Sequence, residues 1–174
     1  MNPSEIYAVV ATQVTGVKEL PPPAVNGPAA GHEGRPYRDP NLFLSCPAEK
    51  LPALAKILKE DAKLGFDYLV MVTAVDHPKT TAAELARMDV VYQFYSLARR
   101  HRLVVKVSVP RENPEVPSLA DLWSTADWQE REVYDMFGIR FAGHPDLRRI
   151  LMWDEFPGWP LRKDYVHVPD RYDD

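Results

Sequence analysis

Glu130-Arg131-Glu132-Val133-Tyr134-Asp135-Met136-Phe137-Gly138 is the stretch on which the fold turns. With Thr125-Ala126-Asp127-Trp128-Gln129 before it, it predicts a helix from about Thr125 to Phe137. Gly138, free to take the left-handed conformation, ends it. On a helical wheel Ala126, Val133 and Phe137 share one face, and Glu130 lies on that same face. The opposite face carries Arg131, Asp135 and Trp128. The helix therefore breaks the amphipathic pattern twice, with a carboxylate on its apolar side and a tryptophan on its polar side. A buried carboxylate is costly unless a cation or several donors satisfy it. Glu130 thus predicts an arginine partner, with Arg148, Arg149 and Arg162 the nearest in the following segment. Glu130 and Glu132 are two residues apart and point to different sides, so they do not form the facing pair of a glycoside hydrolase. Asp127–Arg131 and Arg131–Asp135 have i,i+4 spacing and read as a solvated charged face.

Upstream, Ser118-Leu119-Ala120-Asp121 and Ser124-Thr125-Ala126-Asp127 each resemble a capping sequence, with an acid three residues after the cap. Before them come three strand candidates. Phe66–Val75 is nearly continuous in apolar and β-branched residues, and Asp89–Leu97 is rich in Val, Tyr and Phe. Leu103–Val109 alternates, with Leu103, Val105, Val107 and Val109 on one face. The short link Arg99-Arg100-His101-Arg102 predicts an antiparallel hairpin. The longer link 76–88 has room for a helical turn at Thr81–Arg87. Residues 48–64 read as a helix with Leu51, Leu54, Ala55, Leu58 and Ala62 on one face. Pro52 lies in its first turn and Gly65 at its end. Helix, strands, helix predicts an α+β fold, a two-layer sandwich. Four stretches follow: a strand region over 1–20, with Ile6–Ala11 as the strand; a Pro/Gly-rich loop or arm over 21–40; a core domain over 41–143; and an irregular, extended C-terminal docking segment over 144–174.

Composition narrows function. The chain has 174 residues with 21 Lys+Arg against 25 Asp+Glu, a net charge of −4. That mild acidity opposes nucleic-acid binding, which needs a basic footprint. The single cysteine, Cys46, excludes an internal disulfide and an iron–sulfur cluster held by four thiolates of this chain. It reads as a small packed residue. Of the 17 prolines, Pro21, Pro22, Pro23, Pro28, Pro36 and Pro40 fall in 21–40, where no regular element is expected. No run approaches the ~20 apolar residues of a membrane span. The N-terminus lacks the pattern of a secretory leader, so a soluble cytosolic chain is expected. His32, His77, His101, His144 and His167 form no metal-binding spacing. No serine or cysteine sits in a nucleophile elbow. A free-standing hydrolase built on Glu130, Glu132, His144 or His167 has little support.

Three motifs in order go further. The run Glu130–Ile139 is followed by Gly143-His144-Pro145-Asp146-Leu147-Arg148-Arg149-Ile150-Leu151 and then by Pro160-Leu161-Arg162-Lys163-Asp164-Tyr165. Together with Val116-Pro117-Ser118-Leu119 and Ala126-Asp127-Trp128, they closely resemble the signature of the C-subunit family of NADH–quinone oxidoreductase, respiratory complex I. The likeness covers about residues 41–165. Trp159 departs from it, since His or Tyr is common there; tryptophan resembles the equivalent subunit of photosynthetic complexes.

The resemblance implies helices on a mixed sheet. It implies a cofactor-free structural and assembly subunit of the hydrophilic arm of a proton-translocating enzyme, with no activity of its own. Iron–sulfur clusters, FMN and quinone would belong to partner subunits. This chain would pack beside the quinone-site and iron–sulfur subunits as a peripheral component on the cytoplasmic face of the inner membrane. No catalytic, cofactor-binding or metal residue is expected. Trp128, Glu130, Arg131, Glu132, Asp135, His144, Arg148, Arg149, Trp159, Arg162, Lys163 and Asp164 would serve folding and docking. The alternative is the same subunit in a membrane-bound hydrogenase or in a photosynthetic or other donor-driven quinone reductase.

Overall fold

The structure, a computed structural model, describes residues 2–22, 41–79 and 85–166. It opens with helix α1 (Pro3–Gln13), not the strand expected over Ile6–Ala11. The reason is local. Glu5 N–H donates to Asn2 Oδ1 and Asn2 N–H to Glu5 Oε2, both at 2.9 Å, a reciprocal capping box with Pro3 in the first turn. Helical winding then buries Ile6 and Val10, one turn apart. In the expected N-terminal strand region only the short β1 (Lys18–Leu20) is a strand. Most of the proline-rich stretch, residues 23–40, lies outside the described residues.

Strand β2 (Leu42–Ser45) leads through a 3-10 turn at Ala48–Lys50 into α2 (Leu51–Glu60). Leu51, Leu54, Ala55 and Leu58 form its buried face, as their spacing predicts. The helix ends before Ala62. Gly65 takes its left-handed conformation (φ 55°) at the close of a separate turn, where its N–H bonds to the Asp61 carbonyl at 2.9 Å. The three predicted strands are β3 (Tyr68–His77), β4 (Arg87–Ser96) and β5 (His101–Pro110). The β4–β5 hairpin closes at Ser96↔His101. The helical turn expected at Thr81–Arg87 falls largely outside the described residues, and Arg87 itself is already in β4.

The sheet order is β1-β2-β5-β4-β3. β2 and β5 run parallel and the other pairs are antiparallel, so the sheet is mixed, as the resemblance implies. A short parallel pair, β6 (Glu115–Pro117) with β7 (Arg140–Ala142), flanks α3 (Ser124–Phe137) in the chain. Of the two predicted capping sequences, only Ser118 accepts a backbone N–H, that of Ala120 at 3.1 Å, at the head of a single turn rather than of a helix. Ser124 does not cap α3: Trp123 occupies the cap position without a side-chain bond, while the Ser118 hydroxyl also donates to Glu130.

The core lies on one face of the sheet, where Leu44, Val105, Tyr92 and Phe94 meet Val10, Leu54, Trp123 and Val133 from the other layer. α3 also guards the β3 edge of the sheet. Thr125 Oγ donates to Leu69 O at 3.1 Å, and Gln129 Oε1 accepts from Val72 N at 2.5 Å, both on edge strand β3. A covered edge offers no unpaired backbone to another strand.

Candidate functional site: the C-terminal strap on helix α3

Three buried carboxylates organise the region that the sequence singles out. Glu130 is fully buried, as expected, but its partner is not an arginine. Its Oε2 accepts from Ser118 Oγ at 2.6 Å and its Oε1 from Leu119 N at 2.7 Å. Glu130 therefore ties α3 to the segment before it, while the arginines lie on the other side of the helix. Burial pushes its pKa up to about 7, against the downward pull of the Ser118 and Leu119 hydrogen bonds.

Asp135 is the true anchor of the chain that follows. It is fully buried, and its Oδ2 accepts the backbone N–H groups of Ile150, Leu151 and Met152 at 2.6–2.9 Å. Its Oδ1 pairs with Arg149 Nη1 at 3.1 Å. Burial raises its pKa, but the three amides and Arg149 outweigh that effect and hold it below its ordinary value. Arg149 also donates to Gly158 O at 2.9 Å and lies over the Trp159 ring, 4.5 Å from its centroid.

Asp76, at the end of β3, is the third carboxylate. Arg111 grips it through Nε and Nη2 (2.6 and 2.9 Å) and reaches Asp164 with the same guanidinium. Lys163 contributes through its backbone N–H, 2.8 Å from Asp76 Oδ2. Arg162 Nε caps the α3 C-terminus through Phe137 O at 2.6 Å, and Leu161 N bonds to Met136 O at 3.1 Å. The Trp159 ring lies flat against Gly138 (φ 72°); a Cβ there would meet it at 2.5 Å.

The face expected to be solvated is thus covered. Arg131 is buried, with Nε on Arg148 O at 3.3 Å and its guanidinium over Trp128. His144, whose side chain is also buried, accepts from Asp146 N on Nδ1 (3.0 Å), which leaves Nε2 to donate to Asp127 O at 3.1 Å. Among the described residues, Arg148 pairs with Asp146, at the surface. Glu132 is exposed and points away from this network. Trp128 is 63% exposed, and Leu151, Trp153 and Leu161 on the strap are each more than half exposed. Asp76 and Arg111 are the partners that sequence reasoning did not select. Asp76 had a legible signal, since it continues the inward alternation Val72, Ala74, Asp76. Arg111 had none beyond following the strand. Among the described residues, no group of three His, Cys, Asp or Glu side chains is placed to hold a metal.

The fold and the strap, the irregular segment over 144–166, together define a class: an α+β domain whose buried charges hold its own C-terminal segment against a helix, with aromatic and aliphatic side chains turned outward. The comparisons make this specific. The model of the respiratory-chain NADH dehydrogenase 30 Kd subunit matches residues 44–171, and the chain belongs to that family.

The chain is 50% identical over 114 residues to the C subunit of the NADH-quinone oxidoreductase of Chloroherpeton thalassium, covering 65% of this chain and 45% of that one. For the second C subunit of the same enzyme in Rhizobium etli the identity is 46% over 119 residues, 68% of this chain and 61% of that one. The chain thus spans about half to two thirds of the length of these curated relatives. Among solved structures, a trypsin-resistant fragment of Nqo5 superposes with TM-score 0.62 at 30% identity, covering 84% of this chain and all of the fragment. A chain of the membrane-bound sulfane sulfur reductase, an archaeal respiratory membrane complex, shares the fold with TM-score 0.71 at 23% identity, covering 98% of this chain and 95% of that one. No helix among the described residues is long and apolar enough to cross a membrane.

Proposed function

We propose that this chain is a non-catalytic assembly subunit of a proton-translocating NADH–quinone oxidoreductase. It carries no cofactor, and it docks through its C-terminal strap beside the quinone-site and iron–sulfur subunits on the cytoplasmic face of the membrane. The observation that carries the reading is the division of labour within the strap. Arg149 turns inward onto Asp135, the Lys163 backbone N–H onto Asp76, and Arg111 ties Asp76 to Asp164 of the strap, while Leu151, Trp153 and Leu161 turn outward with Trp128 on the adjoining helix. Exposed tryptophans on a rigid support are the kind of anchor around which interfaces form. The buried polar groups are engaged in holding the chain rather than opening onto a cleft. NADH, FMN, the clusters and quinone are then the business of partner subunits, and the family to which the chain belongs supports that assignment.

A second reading keeps the module and changes the electron donor. A sulfane sulfur reductase complex contains the same fold, which favours a subunit that serves hydrogenases or other donor-driven reductases equally well. The test is purification of the tagged full chain from its native membranes in mild detergent. Recovery in fixed ratio with flavin- and cluster-bearing subunits that oxidise NADH supports the first reading. Recovery with a hydrogenase or another donor module supports the second, and a chain recovered alone overturns both. Within that preparation, Trp153→Glu is expected to lower incorporation without shifting the melting temperature of the chain, because the side chain is 53% exposed.

A further inference from the structure

We propose that the open face of the five-stranded sheet docks an acidic amphipathic helix of a neighbouring subunit, at a place separate from the strap. The proposal rests on the subunit reading above.

The strand register defines the face. Leu20, Phe43 and Val104 lie side by side in one row across β1, β2 and β5. Val91 follows in the next row and Val75 in the one after, so an apolar stripe crosses the sheet diagonally. The stripe floors a groove of about 320 Å³. Among the described residues the helices lie on the other face. Val75 is 43% exposed although it sits on a strand whose opposite side is core. A sheet with apolar residues on both faces calls for a second covering layer.

Charge selects the occupant. Among the described residues, Lys18, Lys106, Arg102 and Arg87 share the face with one carboxylate, Asp89. Asp89 is already satisfied from within, by Ser108 Oγ at 2.6 Å, His77 Nε2 at 3.0 Å, and Lys106 and Arg87 at 3.4 Å. The chain as a whole carries a net charge of −4, so this face is opposite in sign to the molecule that bears it. A partner matched to it presents apolar side chains flanked by Asp or Glu. A helix of about 10 Å diameter covers two to three strands, and added strands are disfavoured on the β3 side because α3 occupies that edge.

The test places a photoreactive side chain at Val104 and, in a separate preparation, at Trp153, each in the full chain within the assembled complex. The expected result is that the Val104 site cross-links to an acidic amphipathic helix of one subunit, and the Trp153 site to different residues. Cross-links from Val104 to lipid, to this chain or a second copy of it, or to nothing, while Trp153 still finds a subunit, overturn the docking proposal alone. Silence at both sites overturns the subunit reading as well. As an independent check, Val104→Glu should keep the melting temperature of the full chain and lower its incorporation about tenfold; undiminished incorporation speaks against the proposal.

Discussion

Glu130 is a carboxylate whose only hydrogen-bonding partners are neutral, and that makes its ionisation a cost. With its pKa lifted from 4.5 to about 7 in the folded chain, the protonated form is favoured by folding. The stability it contributes is complete below pH 4.5, falls as pH rises, and is gone above pH 7. The shift corresponds to about 3 kcal/mol. Glu130→Gln keeps a carbonyl for Leu119 N and cannot ionise. The stability of this variant relative to the native chain should therefore rise by about 3 kcal/mol between acid and mildly alkaline pH, read by urea denaturation at both. An arginine partner would have produced the reverse trend. Glu130→Ala strands the Leu119 donor and should cost about 1–3 kcal/mol even in acid. Cys46 is governed by the same physics. Burial, helped by Glu49, pushes its thiol up to about 11, so the native chain should resist alkylation near neutral pH, as mass spectrometry would report.

At the scale of elements, α3 and the strap form one unit. Asp135 substitutes for the missing secondary structure of the strap by accepting three consecutive amides. Asp135→Ala removes that acceptor and leaves Arg149 without its ion pair. The expected loss is about 3–5 kcal/mol, with rapid tryptic cleavage after Arg148, Arg149 and Arg162 as the signature. Because Asp135 and Asp76 are held below their ordinary values, their stabilisation is present above the usual carboxylate range and is lost as pH falls through the lowered pKa. Acid should release the strap first, visible as lost hydrogen-exchange protection at Ile150, Leu151 and Met152. This trend is opposite in sign to that of Glu130. At the C-terminal cap of α3, Gly138→Ala introduces both a left-handed alanine and a collision with Trp159. A destabilisation of about 1–2 kcal/mol from backbone strain alone is expected, with the strap loosened before the core.

Across the whole molecule, the α+β class, β3, β4, β5 and the extent of α3 were legible because their signals are local: alternation, helical spacing and a terminating glycine. α1 was legible too, through Asn2 and Glu5, but the β character of Ile6–Val10 overrode that short signal. Strands as brief as β1, β6 and β7 carry too little pattern to be seen. The strap residues were recognisable as a motif, and their family followed from it. What the motif did not disclose is which charges pair. Sequence distance favoured arginines for Glu130, whereas Arg149 belongs to Asp135 and Arg111 to Asp76. By itself the sequence determined the long central strands, α2, α3 and the family, since periodicity and motif order are properties of neighbours along the chain. Only the tertiary structure decided the partners of the buried carboxylates, the parallel β2–β5 pairing and the charged open face. Each of these depends on residues brought together from distant parts of the chain, where packing rather than spacing chooses the neighbour.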